Sequence, residues 1–378
     1  RVRALLRRRL LRAALPRGPP RFRLVRRFDD VERGVSVRLL VFEAWRGHPV
    51  PAALYTPLGY EDLGERLPAV LHLAGHYAAG FREPEEQTVS LGLVRRGYVV
   101  LTFDPLSQGE RQQYAEGVEC GIARDGGPGG SCRAEGPTCS RAHDHFGKQL
   151  WLLGSSAAEF FLQDAQVALD LLSSVSWADP ARIGVVGCSG GGMLTAYLGA
   201  VDSRVNLVVI ACYFSTLDRE LAEGSCNYDA EQIIWGQARL GLDKPDFLVA
   251  RAPQPTMVLL TSHDCFPLAG GRLGWDETVP AFSAHAHDDP NNMGLYVSEA
   301  AGYHHFTPLG IAATHQVMAE ILHPPEEVQS QARGRSEEEA QRFLNPPAFP
   351  CDRLLLGTEE VARGVGAGKV SLMGDALR

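Results

Sequence analysis

The 378-residue sequence has no uninterrupted apolar run of about 18 residues, the length that a transmembrane helix needs. It also has no excess of basic residues, because 37 Lys and Arg stand against 45 Asp and Glu, a net charge of −8. Nucleic-acid-binding surfaces are basic, so this balance argues against a nucleic-acid partner. We therefore expect a chain without a membrane span and without a nucleic-acid partner. Its oligomeric state stays open.

Metal motifs are scarce as well. The eight cysteines include no Cys-x-x-Cys pair, so a zinc ribbon is not expected. His285 and His287 form a His-Ala-His-Asp stretch that could ligate a metal, but no further ligands cluster with them in the sequence. We expect these two histidines in a surface loop, and we predict neither a metal nor a cofactor.

The cysteines fall into two groups with different expected roles. Three stand in one Gly-rich loop, 120–145, and such clustering favours disulfides in a secreted or periplasmic protein. These are Cys120, Cys132 and Cys139. Three more lie in or beside apolar strands and are expected to be buried thiols. These are Cys188, Cys212 and Cys265.

Strand and helix patterns alternate through the middle of the chain. Short apolar runs bounded by Gly, Pro and Asp are typical of strands buried on both faces. They occupy 36–43, 50–55, 69–73, 98–103, 183–186, 205–211, 256–260 and 293–297. Helical patterns occupy 87–95, 157–175, 192–200 and 308–322. This alternation predicts an α/β fold: a mostly parallel, doubly wound sheet flanked by helices in a three-layer sandwich.

Three regions follow from composition. Residues 1–34 are basic with spaced leucines, which predicts a helical extension, although a remnant of a targeting segment has the same pattern. Residues 35–323 carry the alternating pattern and form the predicted catalytic domain. Residues 324–378 are charged and linker-like, and we expect a peripheral tail.

The strongest motif is Gly187-Cys188-Ser189-Gly190-Gly191, a G-x-S-x-G that directly follows one predicted strand and opens a predicted helix. This is the context of a nucleophile elbow, where small neighbours permit a strained turn that exposes the serine. The competing interpretation is a phosphate-binding loop, but neither of the usual glycine-rich phosphate motifs is met. Ser189 is therefore the predicted nucleophile of an α/β-hydrolase fold.

An elbow serine needs a base and an acid, which follow it in the order acid, then histidine. Asp264 comes just after the strand 256–260 and is the predicted acid, ahead of Asp276 and Glu277, which we expect in a loop. His304 follows the last strand and is the predicted base. His305 next to it is assigned to the entry of the helix that Thr307 and Pro308 begin.

The oxyanion of such an enzyme needs two backbone N–H donors. Gly190, directly after the nucleophile, is one predicted donor. The loop after strand 69–73 should supply the other, with His76 as the first choice and Tyr77 as the second. Asp104 and Arg111 follow another strand and are expected to fix a loop rather than to take part in catalysis.

These stretches resemble the bacterial acetyl xylan esterase and dienelactone hydrolase-like branch of the α/β-hydrolases. The likeness rests on LHLAGHYAAG (71–80), VLTFDPLSQGER (100–111), the elbow region 179–205, and RAPQPTMVLLTSHDCF with GYHHFTP further on. The resemblance implies hydrolysis of small acyl esters, often acetyl groups on sugars, through Ser189, Asp264 and His304 and without a cofactor.

The sequence departs from that family at two points and from the glucuronoyl esterases at a third. Ala74-Gly75 replaces the usual His-Gly of the oxyanion loop, and His304-His305 replaces the usual His-Gly at the base. Glucuronoyl esterases follow the serine with arginine, whereas Gly190 stands here. Two alternatives stay open: a prolyl oligopeptidase-like serine peptidase, and a hydrolase-like binding protein with an idle triad.

Overall fold

A computed structural model of the chain describes residues 2–11, 20–45, 47–60, 65–112, 121–124, 132–135, 139–224, 229–285, 294–325, 345–357, 360–361 and 363. The strands are β1 (Phe22–Asp30), β2 (Val35–Trp45), β3 (His48–Pro57), β4 (Leu67–Leu73), β5 (Val99–Phe103), β6 (Gly121–Arg124), β7 (Cys132–Glu135), β8 (Ala178–Cys188), β9 (Leu207–Ala211), β10 (Thr256–Thr261) and β11 (Leu295–Ala300). The helices are α1 (Val2–Leu10), α2 (Pro84–Val94), α3 (Cys139–Leu152), α4 (Ala157–Ser173), α5 (Gly190–Val201), α6 (Leu217–Glu223), α7 (Lys244–Val249), α8 (Leu268–Ser283) and α9 (Pro308–Leu322).

Nine strands form one sheet in the order β1-β2-β3-β5-β4-β8-β9-β10-β11, and β6 pairs with β7 separately. The strands from β1 through β2 and β3 to β5 pair antiparallel. β4 runs parallel to β5, and β8, β9, β10 and β11 run parallel to one another. Parallel neighbours need crossover connections, which the helices supply. The predicted α/β class with a mostly parallel sheet and flanking helices is confirmed.

The described residues divide into two compact units. The first comprises Arg1–Ala14, Ser140–Ala165 and Gly184–Leu322. Its core contains β9 and β10, which are rich in β-branched and leucine side chains and are buried along their whole length. α5 is buried throughout, and α1 packs against it with Leu6 and Leu10 inside.

The second unit comprises Leu15–Cys139, Gln166–Ile183 and His323–Arg378. β2, β3, β4 and β5 supply its core. Its C-terminal part packs on the strands, because Phe349 is buried and its ring meets Phe28 edge-on at 5.8 Å. The backbone of Phe349 also exchanges hydrogen bonds with the side chain of Gln87, at 2.6 and 3.1 Å.

Several elements lie where the sequence did not predict them. β1 lies within the stretch 1–34 that was expected to be helical, and it pairs with β2. α3 begins at Cys139, inside the expected Gly-rich loop, where 125–131 and 136–138 lie outside the described residues. Asp276 and Glu277 stand on α8, so the expected loop there was wrong. The division at residues 34 and 323 stays a prediction.

None of the described helices is both long enough and apolar enough to cross a bilayer.

Candidate active site

Ser189 lies at the tight turn between β8 and α5. Its backbone has φ 58° and ψ −120°, a conformation that is costly for a residue with a side chain. The turn is held because the Ser189 N–H donates to the Ala211 carbonyl at 3.0 Å and the Ser189 carbonyl accepts from Met193 at 2.9 Å. The predicted strand–turn–helix context of an elbow is therefore present.

The close approach of α5 to β9 requires glycine at position 192. A Cβ at Gly192 would lie 2.3 Å from the carbonyl oxygen of Ala211 and 3.1 Å from the Cβ of Tyr213. The first neighbour is backbone in the adjacent strand β9, which cannot move without disturbing the sheet. Glycine thus lets α5 start close to β9 and puts Ser189 at the carboxyl ends of the parallel strands, where active sites of such sheets form.

Asp264 follows β10 and is fixed by three hydrogen bonds. One carboxylate oxygen, Oδ1, accepts from the Phe266 N–H at 3.1 Å and lies 2.6 Å from Nδ1 of His304. The other, Oδ2, accepts from the Thr261 hydroxyl at 3.1 Å. The side chain of Asp264 is 4% exposed. A buried carboxylate held this way can fix the tautomer of the imidazole that it contacts.

His304 and His305 take different places. The side chain of His304 is 32% exposed and reaches Asp264, and the Phe266 ring lies 5.8 Å from its own ring. His305 instead lines a small cavity with Thr261, Phe306 and other residues of β9, β10 and α9. The helix entry is as expected, because Thr307 Oγ1 accepts from the Gly310 N–H at 3.0 Å and α9 starts at Pro308.

Two cysteines stand beside this pair. Cys212 is a buried thiol with φ 51°, and its sulfur, the Asp264 carboxylate and a His304 nitrogen lie within 4.8 Å of one another. Cys265 Sγ is 3.5 Å from Nδ1 of His304. Cys265 is disulfide-bonded, so the expectation of a buried thiol there was wrong, whereas Cys188 and Cys212 are buried thiols as expected. Cys139 is a free thiol, so the expectation of a disulfide was wrong for this residue, and the side chains of Cys120 and Cys132 lie outside the described residues.

A buried cation lies near the acid, and sequence reasoning missed it. Lys244 Nζ pairs with Glu220 at 2.5 Å and donates to the Tyr213 carbonyl at 3.1 Å. It also lies 4.1 Å from the ring centres of Tyr213 and Phe266. Burial lowers the pKa of Lys244 to about 8, while Glu220, Asp243 and Asp264 act in the opposite direction. No sequence motif marks this lysine, because its burial arises from tertiary packing.

The predicted oxyanion donors stand on separate elements. Gly190 is the first residue of α5. In the loop after β4, the Gly75 N–H donates to Glu86 at 2.8 Å and the Tyr77 N–H donates to the Gly75 carbonyl at 3.0 Å. These two amides are therefore occupied within the loop. That occupation favours His76 over Tyr77 as the donor, which stays a prediction.

Asp104 fixes the neighbouring loop, as expected. It is fully buried, pairs with Arg82 at 3.1 Å and accepts from the Glu110 N–H at 2.9 Å. Burial raises the pKa of Asp104 to about 6, although Arg82 opposes the shift. A Cβ at Gly80 would lie 1.9 Å from its carboxylate, so this glycine admits the buried acid. Arg111 donates to the Asp104 carbonyl at 3.5 Å.

Among the described residues of the first unit, metal-type ligands cluster in two places. One is the group of Cys212, Asp264 and His304. The other contains His143, Asp229 and Glu231. Of the two histidines considered from sequence, His285 is exposed just after α8, and His287 lies outside the described residues.

Comparison with known proteins gives sequence and structural matches. The family model described as Acetyl xylan esterase (AXE1) matches residues 21–230, more than half of the chain. The protein named "Putative hydrolase YtaP" of Bacillus subtilis (strain 168) is 27% identical over 133 residues, which are 35% of this chain and 44% of that protein. The match thus spans less than half of that relative's length.

Solved esterase structures share the fold. Methylesterase BT1017 matches with a TM-score of 0.67 and 19% identity over 95% of this chain and 69% of that one. Acetyl xylan esterase 1 from Thermoanaerobacterium sp. JW/SL YS485 matches with a TM-score of 0.53 and 16% identity over 85% and 92%. A glucuronoyl esterase from Solibacter usitatus matches with a TM-score of 0.58 and 14% identity over 85% and 91%. These matches confirm the predicted α/β-hydrolase fold.

Proposed function

The chain belongs to the acetyl xylan esterase family, a family of serine hydrolases that cleave carboxylic esters, and from that premise we propose that Ser189, His304 and Asp264 form its catalytic triad. One observation carries this proposal: the loops that follow β10 and β11 bring Asp264 and His304 together, with Asp264 Oδ1 2.6 Å from His304 Nδ1. Ser189 stands in the elbow of the same compact unit.

The proposed reaction proceeds through an acyl-enzyme. Ser189 Oγ attacks the ester carbonyl carbon while Nε2 of His304 takes its proton, and Asp264 stabilises the resulting imidazolium through Nδ1. Collapse of the tetrahedral intermediate breaks the bond to the alcohol oxygen, which receives the proton from His304. Water, activated by the same histidine, then attacks the acyl carbon, releases the acid and restores Ser189.

Stabilisation of the oxyanion is assigned to backbone N–H groups. The Gly190 N–H is at the positive end of α5, where developing negative charge is favoured. The His76 N–H is proposed as the second donor, since its neighbours Gly75 and Tyr77 already donate within their loop. Removing one such donor typically costs on the order of 10²- to 10³-fold in turnover.

For the substrate we propose small acyl esters of carbohydrates, acetyl esters first. The family membership supports this choice, and the shared fold of several carbohydrate esterases agrees with it. Gly190 stands where glucuronoyl esterases carry arginine, which argues against that specificity. The test is a screen of acetylated sugars, aryl esters and peptides with purified protein. Cleavage of peptides alone would support the peptidase alternative.

The Ser189→Ala variant tests the nucleophile. We expect it to fold normally and to lose hydrolysis of p-nitrophenyl acetate on the order of 10⁶-fold, because nothing else supplies the attacking oxygen. Ser283→Ala, an exposed position at the end of α8, is the matched control and should keep full activity.

Covalent labelling separates the enzyme from an idle binding protein. A serine-directed phosphonate should modify Ser189 alone, and an activated ester should give a burst of alcohol release. A Ser189→Ala protein with a tenth of the wild-type activity, or a wild-type protein without burst and without label, would contradict the proposal.

A further inference from the structure

A second group of ligand-type side chains lies in the first compact unit, outside the proposed triad. His143 stands on α3, and Asp229 and Glu231 stand at the start of a short 3-10 turn, Ala230–Gln232. Their side chains are 1%, 3% and 2% exposed. Burying two carboxylates side by side is costly unless positive charge or hydrogen bonds compensate them.

Both carboxylates converge on one nitrogen. Nδ1 of His143 lies 2.9 Å from Oδ2 of Asp229 and 3.6 Å from Oε2 of Glu231. A ring nitrogen carries at most one proton, so Nδ1 donates to one carboxylate at a time. The other oxygen of Asp229 accepts the Glu231 N–H at 3.0 Å, and this bond orients the two acids towards the same side of the turn.

A buried histidine in the second unit shows the contrasting arrangement. His72 has one partner at each nitrogen, with the Ser90 hydroxyl 2.7 Å from Nδ1 and the Glu86 carboxylate 2.9 Å from Nε2. There each ring nitrogen faces one group. At His143 both acidic groups instead face the same ring nitrogen, so three donor atoms lie close enough together to share one ion.

The spacing of the three donors also fits an ion. Tetrahedral ligands at about 2.0–2.2 Å from a zinc ion lie roughly 3.3–3.6 Å from one another. The separation from Nδ1 to Glu231 is 3.6 Å, and the 2.9 Å separation from Nδ1 to Asp229 is that of the hydrogen bond that the ion would replace. Imidazole together with carboxylates selects first-row transition ions over Mg²⁺ and Ca²⁺. We propose that His143 Nδ1, Asp229 and Glu231 form a binding site for one divalent transition-metal ion, with Zn²⁺ as the best-suited ion.

Binding involves a shift of the histidine tautomer. With the proton on Nε2, the lone pair of Nδ1 faces the ion, and one oxygen from each carboxylate completes three protein ligands. The ion replaces the hydrogen bond between Nδ1 and Asp229, and its two positive charges balance the two acids. No bond to substrate and no redox step is involved.

The site would join α3 to the 3-10 turn. These segments are already in close contact, because Asp144 Oδ1 accepts the Ala230 N–H at 3.2 Å and a Cβ at Gly147 would lie 2.3 Å from that of Ala230. The turn reaches α5 as well, since the Tyr197 hydroxyl donates to the Gln232 carbonyl at 3.0 Å. The ion therefore has a structural role and stiffens the segments beside the elbow helix.

The experiment measures binding of the metal ion rather than hydrolysis of an ester. The full chain is stripped with dipicolinate, and Zn²⁺ is then titrated by calorimetry, with bound zinc counted by mass spectrometry after gel filtration. The same is done for Ser189→Ala, for His143→Gln and Glu231→Gln, and for two matched controls. His145→Gln is exposed on the same helix, and Glu223→Gln is exposed at the end of α6.

We expect about one zinc per chain in the wild type, in Ser189→Ala and in both controls. His143→Gln and Glu231→Gln should bind Zn²⁺ at least tenfold more weakly, since even residues that only orient metal ligands change affinity by about 10–100-fold. Zn²⁺ should raise the Tm of the wild type by a few degrees and leave that of the two ligand variants unchanged.

The proposal fails if the wild type retains no zinc, or if the ligand variants bind zinc as tightly as the wild type. If a ligand variant does not fold, the zinc count of the wild-type chain still decides. Because Ser189→Ala is expected to bind the ion without hydrolysing esters, failure of the metal site and failure of the proposed triad give different results.

Discussion

His304 and His305 are adjacent, yet only His304 contacts Asp264. The His305 N–H donates to the Tyr303 carbonyl at 2.9 Å, which turns the chain between the two rings. Because the chain turns here, one ring reaches the acid and the other faces the cavity beside α9. Two single substitutions can therefore test which of these histidines is the base.

We expect His304→Ala to lose aryl ester hydrolysis on the order of 10⁶-fold, because removing the base disables the nucleophile as completely as removing the serine itself. His305→Ala should stay within roughly tenfold of the wild type. The measurement is turnover at saturating p-nitrophenyl acetate, with circular dichroism to check folding. An active His304→Ala beside an inactive His305→Ala would reverse the assignment.

Lys244 gives the stability of the fold a dependence on alkaline pH. Its pKa is about 8 in the folded chain and 10.5 ordinarily, so between these values the unfolded chain binds the extra proton. Stability rises with pH wherever the unfolded state binds more protons. The cost of burying this charge is thus present below pH 8 and is relieved as the pH approaches 10.5.

The Lys244→Met variant isolates this effect. The free energy of unfolding of the wild type, relative to that of Lys244→Met, should increase between pH 8 and pH 10.5 by up to roughly 3 kcal/mol. Urea unfolding at several pH values measures it, and Lys148→Met, whose side chain is 63% exposed, is the control. A difference that does not change with pH would mean that Lys244 keeps its ordinary pKa.

The sequence indicated the proposed triad but not its surroundings, for a physical reason. Ser189, Asp264 and His304 each follow a recognisable strand, so their positions can be inferred from local patterns. Lys244 and Cys212 contact the acid region through side chains from other elements. No local pattern distinguishes a buried lysine from an exposed one, and the disulfide of Cys265 likewise depends on a partner that the sequence does not identify.

At the scale of elements, several buried strands were predicted closely. The apolar runs of β4, β5, β9 and β10 were identified to within two residues, because these strands are buried on both faces. α8 was missed, since Gly270, Gly271, Gly274 and Pro280 weaken its helical signal. Packing explains those glycines: a Cβ at Gly270 would lie 2.1 Å from the Ser215 hydroxyl oxygen.

Close approach of α5 to β9 should make Gly192→Ala destabilising. The added methyl group meets the Ala211 carbonyl, which belongs to the sheet, so we expect a loss of about 1–3 kcal/mol and a lower Tm. Gly310→Ala in the first turn of α9 is the comparison, because its Cβ would meet only side-chain atoms, at 3.2 and 3.4 Å. Equal Tm values for both variants in calorimetry would contradict this account of the elbow.

At the scale of the whole molecule, the segment 345–357 belongs to the packed structure of the second unit. The guanidinium of Arg33 lies 4.6 Å from the ring centre of Phe349, and Arg353 pairs with Asp30 at 2.7 Å. The composition of 324–378 predicted a peripheral tail, since charged and Pro-rich stretches usually lack a core. Phe349 is an exception that a local count of polar residues does not detect.

Phe349→Ala should therefore cost about 3 kcal/mol of stability, close to the range for removing a buried phenylalanine. Thermal unfolding followed by circular dichroism measures the effect as a fall in Tm. Leu152→Ala, at a position that is 88% exposed, is the control and should change little. An unchanged Tm for Phe349→Ala would show that the C-terminal segment contributes nothing to the second unit.

Each unit is built from three separate stretches of chain, and this has a consequence for synthesis on the ribosome. The first unit needs residues up to Leu322, and the second needs residues beyond His323. Neither unit can complete its core while only the early part of the chain has been synthesised. The apolar faces of strands such as β2 and β3 therefore stay uncovered at that stage. The first unit can therefore close only once Leu322 has been synthesised, and the second needs residues that follow it, so the early strands depend on protection from aggregation until then.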